Sequence, residues 1–353
     1  MRNPRWKWAP IIAALLLLVA QPFLSKFPAA IESVYADGLY KFFAAIISPI
    51  TSLVPVSFSE VFLYAMIAGA IYWIARGLRR RRFWRALGEL ASAGAAVLFW
   101  FYLVWGMNYF RQPLDRSLQF TGPTQDSVAM RRHIEWAIDE ANAGWLTIPE
   151  WSLAALDREI EDGYRRVFEV LRMKLPPGKR RPKTPLIPAV LDYTLTSGIF
   201  GPLFHEVHLN AHLLPVELPF VLAHEKAHQL GYAREGEADF FATLVCLTSA
   251  NPSVRYSGRF AVLGRSLQRY SAFADFEEVQ KQIWPEVLAD FKAVLARVNR
   301  YFGPIAELAE KWYDLYLKAN QVEQGVGSYQ DVVNLLIRWR EKNDGALLPE
   351  EIK

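Results

Sequence analysis

The sequence predicts a mainly α-helical membrane protein, in which N-terminal transmembrane helices precede a mostly helical extramembrane domain with a small β element. Three observations favour this fold class. Apolar stretches without charge are concentrated in the first 110 of the 353 residues. Apolar residues recur at helical spacing through most of the remaining chain, and strand-like patterns are confined to residues 186–210. We therefore expect a membrane domain over residues 1–110 and a second domain over residues 111–353.

The composition excludes two other classes of protein. Hydrophobic residues make up 52% of the chain and the net charge is only +4, which excludes intrinsic disorder. Cys246 is the only cysteine, which excludes a disulfide framework. Much of the basic charge lies beside the apolar stretches, where membrane topology explains it. Nucleic acid is therefore not an expected partner.

Three transmembrane helices are predicted, at about residues 8–25, 60–76 and 88–108. Each contains an apolar run close to the roughly 20 residues that are needed to cross the hydrocarbon core. Tryptophan and tyrosine residues near the ends of these runs suit the headgroup layer, so the lipid bilayer is an expected partner. The first run is short enough to be a cleaved signal peptide instead, and cleavage would leave the C-terminal domain on the same side.

The basic residues set the expected orientation. The basic N-terminus and the arginine-rich residues 76–85 should both be cytoplasmic. The third helix then runs outward, which places the C-terminal domain of this multi-pass protein on the extracytoplasmic side of the membrane. The apolar residues 42–56 contain Pro49 and Pro55 and should lie along the outer interface or re-enter slightly. A fourth crossing there would reverse the C-terminal domain.

The extramembrane domain should consist of helices around a short β region. Strands are expected at residues 186–195 and 204–210, separated by a turn at residues 197–202. Polar–apolar alternation gives the second strand one buried and one exposed face. The proline-rich basic residues 176–185 should form a solvated loop. Helices are predicted at residues 126–142 and 151–175, from Pro219 to Gly231, from near Arg234 to Thr248, and over residues 256–342 with interruptions at Pro285, residues 303–304 and residues 325–327.

One short motif, HEKAH, carries metal-site chemistry. His224 and His228 are four residues apart on a predicted helix, so both imidazoles project from the same face and can hold one zinc ion. Glu225 lies beside them and can take a proton from metal-bound water. With six histidines in 353 residues, about 0.005 such motifs are expected by chance, so composition does not explain it.

A catalytic zinc site needs a third protein ligand. A three-histidine arrangement is excluded because Arg234 occupies the position of the third histidine. Glu235 and Glu237 differ by about 200° around the next helix, so only one of them can face the metal. We predict Glu235 as the ligand, with Glu237 as the alternative. Asp239 lies one turn beyond Glu235 and can orient a ligating histidine.

These residues together predict hydrolysis of peptide bonds in a peptide or protein substrate. Zn²⁺ held by His224, His228 and Glu235 would activate water, and Glu225 would take the water proton and pass it to the leaving amine. An extended substrate is expected to pair with the strand at residues 206–210. The candidates for stabilising the oxyanion are Tyr232, His208 and Tyr256.

Two alternative functions are weighed against this one. The first is a membrane sensor or scaffold without hydrolytic activity, a pseudopeptidase whose site binds a metal ion or stays free of metal. The second is an intramembrane protease, which is disfavoured because the HEKAH helix is short and carries Lys226 and Gln229.

Residues 224–242 (HEKAHQLGYAREGEADFFA) resemble membrane zinc endopeptidases that use two histidines and a glutamate. The segment from Glu235 to Asp239 resembles the ExxAD signature of the integral-membrane CAAX-protease group. In that signature the first glutamate binds zinc, which favours Glu235 over Glu237. Those enzymes have a long insertion where this chain has a short turn. The resemblance implies a zincin-like metallopeptidase domain over residues 111–353.

A resemblance to an uncharacterised bacterial membrane-protein family, a domain of unknown function, extends along most of the chain. It implies membrane helices at the N-terminus, in a bacterial cytoplasmic (inner) membrane, followed by a metallopeptidase-type domain. The segments that carry it are IESVY (residues 31–35), WGMNYFR (residues 105–111), SGIFGP (residues 197–202) and HEKAHQLG (residues 224–231).

Overall fold

The computed structural model describes residues 8–120, 122, 127–320, 322, 325 and 331–348. It is 70% helical, and a small sheet of two strands is the β structure of the described part. The predicted mainly α-helical fold class is therefore confirmed. The basic N-terminal residues 1–7, Asp126 and Gly327, which entered the predictions above, lie outside the described residues.

The chain divides into two compact units. The candidate membrane helices belong to the first unit, and the HEKAH motif belongs to the second. The first unit contains the chain up to Gln112 together with Pro176–Arg180 and Gly201–Glu206, and the second contains Pro113–Leu175, Arg181–Phe200 and the chain from Val207 onward.

The first unit begins with a bent run of helices. It consists of α1 (Ala9–Leu24), α2 (Pro28–Ala30), a π-helical segment (Ile31–Leu39) and α3 (Tyr40–Thr51). The apolar residues 42–56 are thus helical as far as Thr51. The axis turns by 116° between α1 and the helical stretch Pro28–Thr51, and this bent pair is apolar enough to be a broken span or a re-entrant loop.

Two straight helices follow, α4 (Phe58–Arg79) and α5 (Phe83–Val104). Each has 22 residues and is long and apolar enough to cross a membrane, and few of their residues are buried within the protein. They correspond to the helices predicted at about residues 60–76 and 88–108. With the bent pair counted as one span, the described chain has three candidate spans, and without it two. These helices support association with a membrane.

Helix α4 starts where it does because its first N–H groups find acceptors. The Ser57 hydroxyl accepts a hydrogen bond from the N–H of Glu60 (3.0 Å). The buried carboxylate of Glu206 accepts from the N–H groups of Phe58 (3.1 Å) and Ser59 (2.8 Å). A carboxylate at this end also interacts favourably with the helix dipole, so Glu206 caps α4 by hydrogen bonds and by charge.

Long-range polar contacts join two segments that carry the family resemblance. The Arg111 guanidinium forms a bidentate pair with the Glu32 carboxylate, with Nε–Oε2 and Nη2–Oε1 distances of 2.9 and 2.5 Å. The Tyr35 hydroxyl contacts the carbonyl oxygens of Tyr102 (3.2 Å) and Leu103 (3.1 Å) at the end of α5. The π-helical segment thus contacts the end of α5 through Tyr35 and the chain beyond α5 through Glu32.

The second unit contains most of the predicted helices. Pro219, Pro252, Pro285 and Pro304 each stand in the first turn of a helix, where the missing N–H has no cost. The helices are α6 (Leu114–Ser117), α7 (Ser127–Gly144), α8 (Leu153–Val170), α9 (Ala189–Tyr193), α10 (Leu218–Gln229), α11 (Glu235–Leu247), α12 (Pro252–Tyr270), α13 (Phe276–Gln280), α14 (Pro285–Tyr301), α15 (Pro304–Ala319) and α16 (Asp331–Lys342).

Two predictions for the β region are wrong. Residues 186–195 do not form a strand, because Pro188 has a helical φ of −56° at the N-cap of α9 and its carbonyl accepts from the N–H of Leu191 (3.0 Å). Residues 197–202 are not merely a turn, because they contain β1 (Gly198–Gly201). β1 pairs with β2 (Glu206–Leu209), which confirms the strand predicted at residues 204–210.

The predicted exposed face of β2 is also absent. All four β2 residues are buried, so both faces of the strand are covered by the surrounding protein. The strand is also paired along both edges. One edge of β2 pairs with β1. At the other edge Lys183 forms a parallel bridge, in which its N–H donates to the Val207 carbonyl (2.8 Å) and its carbonyl accepts from the N–H of Leu209 (3.1 Å). The expectation of a solvated loop at residues 176–185 therefore fails at Lys183, and also at Arg180, which is buried too.

Candidate metal centre

Helices α10 and α11 carry the residues of the predicted zinc site and are joined by a short turn. Gly231 has a φ of 95°, a left-handed conformation that glycine adopts without steric cost, so the predicted end of α10 at Gly231 is confirmed. The N–H of Tyr232 closes the turn on the carbonyl of Ala227 (3.0 Å). After the extended N-cap residue Arg234, α11 begins at Glu235. The turn therefore returns the chain beside the two histidines.

Three potential ligand atoms meet between the helices. The Nε2 atoms of His224 and His228 are 3.0 Å apart. The Oε2 atom of Glu235 lies 3.1 Å from Nε2 of His224 and 3.4 Å from Nε2 of His228. Ligands at 2.0–2.1 Å from a tetrahedral zinc ion are separated by about 3.3–3.4 Å, which follows from the bond length and the tetrahedral angle. The three observed distances equal this separation or are shorter by up to about 0.3 Å, so the three buried side chains are close enough to share one cation.

The remaining atoms of these side chains are held by other groups. Nδ1 of His224 contacts Oδ1 of Asp239 (2.6 Å), and Nδ1 of His228 contacts the carbonyl oxygen of Tyr232 (2.7 Å). With each Nδ1 as the donor, both Nε2 atoms are left to ligate a cation. Oε1 of Glu235 accepts from the Tyr313 hydroxyl, whereas its buried Oε2 faces the Nε2 atoms of the two histidines. This donor set fits a divalent cation such as zinc.

The electrostatics favour ionised carboxylates around the two histidines. Burial alone would raise the pKa of Glu235, but His228 and His224 lower it well below its usual value. Burial alone would likewise raise the pKa of Asp239, but the adjacent Arg265 and His224 lower it. Nε of Arg265 donates to Oδ2 of Asp239 at 2.8 Å, so Arg265, Asp239 and His224 form one chain of contacts. The predicted contact of Asp239 with one of the two histidines is therefore present.

Glu225 is buried beside the three potential ligands. Burial is the main reason why its pKa is raised, while His224 and His228 act in the opposite direction. The Phe200 backbone contributes a hydrogen bond to the carboxylate. A Cβ atom at Gly198 would lie 2.7 Å from Cγ of Glu225, so strand β1 can approach this side chain only because residue 198 is glycine.

Glu237, the alternative ligand, points elsewhere. Its Oε1 accepts hydrogen bonds from the N–H of Leu114 (3.0 Å) and from Nη1 of Arg234 (2.9 Å). It therefore contributes no atom to the cluster of His224, His228 and Glu235. The geometry favours Glu235 in the choice between the two glutamates.

A comparison with protein families matches residues 35–337 to a family described as "Protein of unknown function (DUF3810)". The match covers well over half of the chain and includes the whole of the candidate centre. The chain belongs to this family. The resemblance to an uncharacterised family is thereby confirmed. No curated protein and no solved structure matches the chain.

The other histidines of this DUF3810 protein lie outside the cluster. His133 is buried with Nε2 at 3.0 Å from the Ser266 hydroxyl, and burial lowers its pKa to about 3. Burial also lowers the pKa of His205, to about 4. His208 is buried in β2, and His212 contacts Asp192 through Nδ1 (2.8 Å).

Two residues that contact the centre, Tyr313 and Arg265, were not predicted from the sequence. Each reaches its partner from a distant part of the chain, 78 residues from Glu235 and 26 residues from Asp239, so no spacing rule identifies them. Two of the residues predicted to stabilise the oxyanion, Tyr256 and Tyr232, make other contacts. The Tyr256 hydroxyl donates to Asp290 (2.5 Å), and the Tyr232 ring packs at 4.2 Å from the Phe241 ring.

Proposed function

We propose that this DUF3810 protein is a membrane-anchored, zinc-dependent metallopeptidase. The observation that carries the proposal is the convergence of His224, His228 and Glu235 within 3.0–3.4 Å of one another, with Glu225 beside them. The buried carboxylate of Glu235 lies at the meeting point beside two imidazole nitrogens, and a cation there would compensate its charge, because a buried charge without compensation is costly. The ExxAD-like segment, whose first glutamate is Glu235, supports the same assignment.

His224, His228 and Glu235 would hold the zinc ion, and when bound it would polarise the substrate carbonyl and acidify water. Glu225 would accept one proton from water as the water oxygen bonds to the carbonyl carbon. It would then deliver that proton to the nitrogen as the C–N bond breaks, which gives a carboxylic acid and an amine, and the acid loses its remaining proton to solvent at neutral pH. A buried glutamate with a raised pKa suits both roles, because it must take up and release a proton near neutral pH.

The strand arrangement suggests where an extended peptide substrate would lie. Both sides of β2 are paired, so the predicted pairing of a substrate with residues 206–210 is not available. The Phe200 backbone in β1 faces Glu225 instead of β2. A peptide would therefore run along the outer edge of β1, where its scissile bond comes near Glu225.

The proposed location is the bacterial cytoplasmic (inner) membrane, with several spans and with the metallopeptidase domain on the extracytoplasmic side. The support is the arginine-rich connection between α4 and α5, because such connections stay in the cytoplasm. The HEKAH helix α10 has 12 residues and is not among the candidate spans, which speaks against an intramembrane protease.

Metal analysis and peptide cleavage test the proposal together. The full-length protein, purified in neutral detergent and reconstituted with Zn²⁺, should bind one zinc ion and cleave members of a proteome-derived peptide library. Glu225→Gln should retain the zinc and lower kcat by about 10²–10⁴-fold, because it removes the proton acceptor and keeps the ligands.

Each negative outcome of this experiment contradicts a different part of the proposal. Zinc binding without cleavage of any peptide would favour the alternative function, a metal-binding sensor or scaffold. A protein that stays free of zinc after reconstitution would refute the metal site itself. Full activity of Glu225→Gln would refute the role of Glu225 as the base.

A further inference from the structure

An open cleft lies between the end of α4 and the start of α5, far along the chain from the candidate metal centre. Its volume is about 470 Å³. Four arginines line it, Arg76, Arg80, Arg82 and Arg85, together with the single acidic residue Glu89. Sequence reasoning explains these arginines as determinants of topology, which requires only that they lie near the ends of the spans. Their convergence on one cleft is a separate observation.

The positive charge of the cleft is largely uncompensated. Glu89 lies 3.2 Å from Nε of Arg85, as an i,i+4 pair on α5. Arg76 donates to the neutral Tyr72 hydroxyl (3.0 Å). Arg80 and Arg82 form no salt bridge with any described carboxylate. Four guanidinium groups and one carboxylate leave a formal charge of +3 in the cleft. This charge favours an anion that can accept several hydrogen bonds from the guanidinium groups.

The turn that presents these arginines is tightly built. A Cβ atom at Gly77 would lie 2.7 Å from Cβ of Ala86, so the two helices approach each other closely at this glycine. The N–H of Arg82 donates to the Gly77 carbonyl (2.8 Å), and Arg81 between them has a φ of 52°. The backbone at Arg80 and Arg82 is therefore fixed before a ligand arrives, which lowers the entropic cost of binding.

The position of the cleft indicates the kind of anion. It lies at the adjacent ends of two helices that are long and apolar enough to span a membrane, where lipid headgroups are found. Tyr72 and Trp73 line the cleft, and aromatic residues with a polar edge prefer this layer. Trp84, at the start of α5, is 79% exposed and so presents an apolar ring beside the arginines.

We propose that this cleft binds the phosphate group of an anionic phospholipid. Guanidinium groups bind phosphate oxygens in a bidentate manner, and basic pockets between transmembrane helices bind anionic headgroups. The acyl chains would lie along the exposed apolar surfaces of α4 and α5. The inference is independent of the proposed peptidase activity, because none of these residues belongs to the candidate metal centre.

The test uses two variants that remove the same charge from the same turn. Arg80→Gln/Arg82→Gln changes two cleft arginines, whereas Arg79→Gln/Arg81→Gln changes two neighbours that do not line the cleft. Because both variants lose two arginines, the bias that sets the orientation in the membrane falls equally. Binding of phosphatidylglycerol and phosphatidylcholine to the full-length protein in neutral detergent is measured by native mass spectrometry.

The wild type should prefer phosphatidylglycerol to phosphatidylcholine. The cleft variant should bind phosphatidylglycerol about 10–100-fold more weakly, since it loses charge-assisted hydrogen bonds, and the neighbouring variant should change by less than about 3-fold. Arg80→Lys/Arg82→Lys should lie between the wild type and the cleft variant, because it keeps the charge and loses bidentate geometry. If the glutamine variant fails to fold, the lysine variant decides in the same way.

Four results would overturn the proposal. Equal losses in the two glutamine variants, or no loss in the lysine variant, would mean a diffuse attraction without a defined site. Equal binding of the two lipids by the wild type would exclude recognition of an anionic headgroup. Binding of inorganic phosphate alone through Arg80 and Arg82, with no gain from the lipid form, would identify a site for soluble phosphate.

Discussion

The hairpins α10–α11 and α4–α5 each join two helices through a short turn with one left-handed residue, Gly231 in the first (φ 95°) and Arg81 in the second (φ 52°). In the first hairpin the potential ligands are buried, and other side chains or backbone groups hold their remaining atoms. In the second, the arginines are exposed, and of the four that line the cleft only Arg85 meets a described carboxylate.

The difference follows from the cost of burying charge. A buried charged or polar group must find partners, so the side chains of α10 and α11 belong to a network in which each contact fixes another. Exposed guanidinium groups are satisfied by water, so the arginines between α4 and α5 need no such network and remain available to an anion. We therefore expect single substitutions to have larger effects in the first hairpin than in the second.

The largest difference should separate the two glutamates of α11. Glu235→Gln removes a charged ligand atom from the cluster, and we expect zinc affinity to fall by at least about 100-fold, more than the usual loss from a supporting residue. Glu237→Gln is the matched control: it should retain zinc and instead lose about 1–2 kcal/mol of stability, because the hydrogen bonds to Leu114 and Arg234 weaken. Zinc content and competition with a chelator measure the first effect, and thermal unfolding measures the second. Loss of zinc in Glu237→Gln alone would reverse the assignment.

A supporting residue should have an intermediate effect. Tyr313→Phe removes the hydroxyl that donates to Glu235 and leaves the ring in place. We expect zinc affinity to fall by about 10–100-fold, because the ligand oxygen is no longer oriented. The control is Tyr316→Phe, the same change on the adjacent tyrosine of α15, whose ring centre is 6.1 Å from that of Tyr313. If both variants kept wild-type affinity in the chelator competition, the network around Glu235 would be irrelevant to binding.

Local spacing was sufficient to predict the ligand-bearing part of the first hairpin. The four-residue separation of His224 and His228, the glycine stop and the helical phase of Glu235 and Asp239 are properties of one continuous segment. All of them correspond to contacts in the structure. The mainly helical fold and the α4 and α5 candidate spans were predictable for the same reason, since apolar periodicity is a local property.

Contacts between distant segments were not predictable. Tyr313 reaches Glu235 from α15, and Lys183 pairs with the edge of β2 at which a substrate was expected. The strand expected at residues 186–195 failed because Pro188 favours a helical start over an extended chain. The arginines of the second hairpin were evident from sequence, but their convergence depends on the close approach at Gly77.

Strand β1 offers a test of how tightly the first hairpin is packed around Glu225. Gly198→Ala would place a Cβ atom 2.7 Å from Cγ of Glu225, so the carboxylate must move. If the proposed activity is present, kcat should fall by up to about 100-fold while zinc content stays unchanged, because a displacement of about 1 Å can cost that much. Gly303→Ala is the control, since its added Cβ meets nothing within 4 Å. Unchanged kcat in Gly198→Ala would mean that the position of Glu225 tolerates displacement.

The smallest effects should come from the two turns, and their signs should be opposite. Gly231→Ala forces a side chain into a left-handed conformation and should destabilise the protein by about 1–2 kcal/mol. Arg81→Gly removes a side chain from such a conformation. The relief is partly offset by the greater freedom of glycine in the unfolded chain, so the net change should be a stabilisation of up to about 1 kcal/mol. Thermal unfolding of both variants in one detergent, at one pH and with zinc present, measures the two shifts. If Arg81→Gly were instead destabilising, the arginine side chain would stabilise its turn by more than its backbone conformation costs, and the second hairpin would depend on side-chain contacts as the first one does.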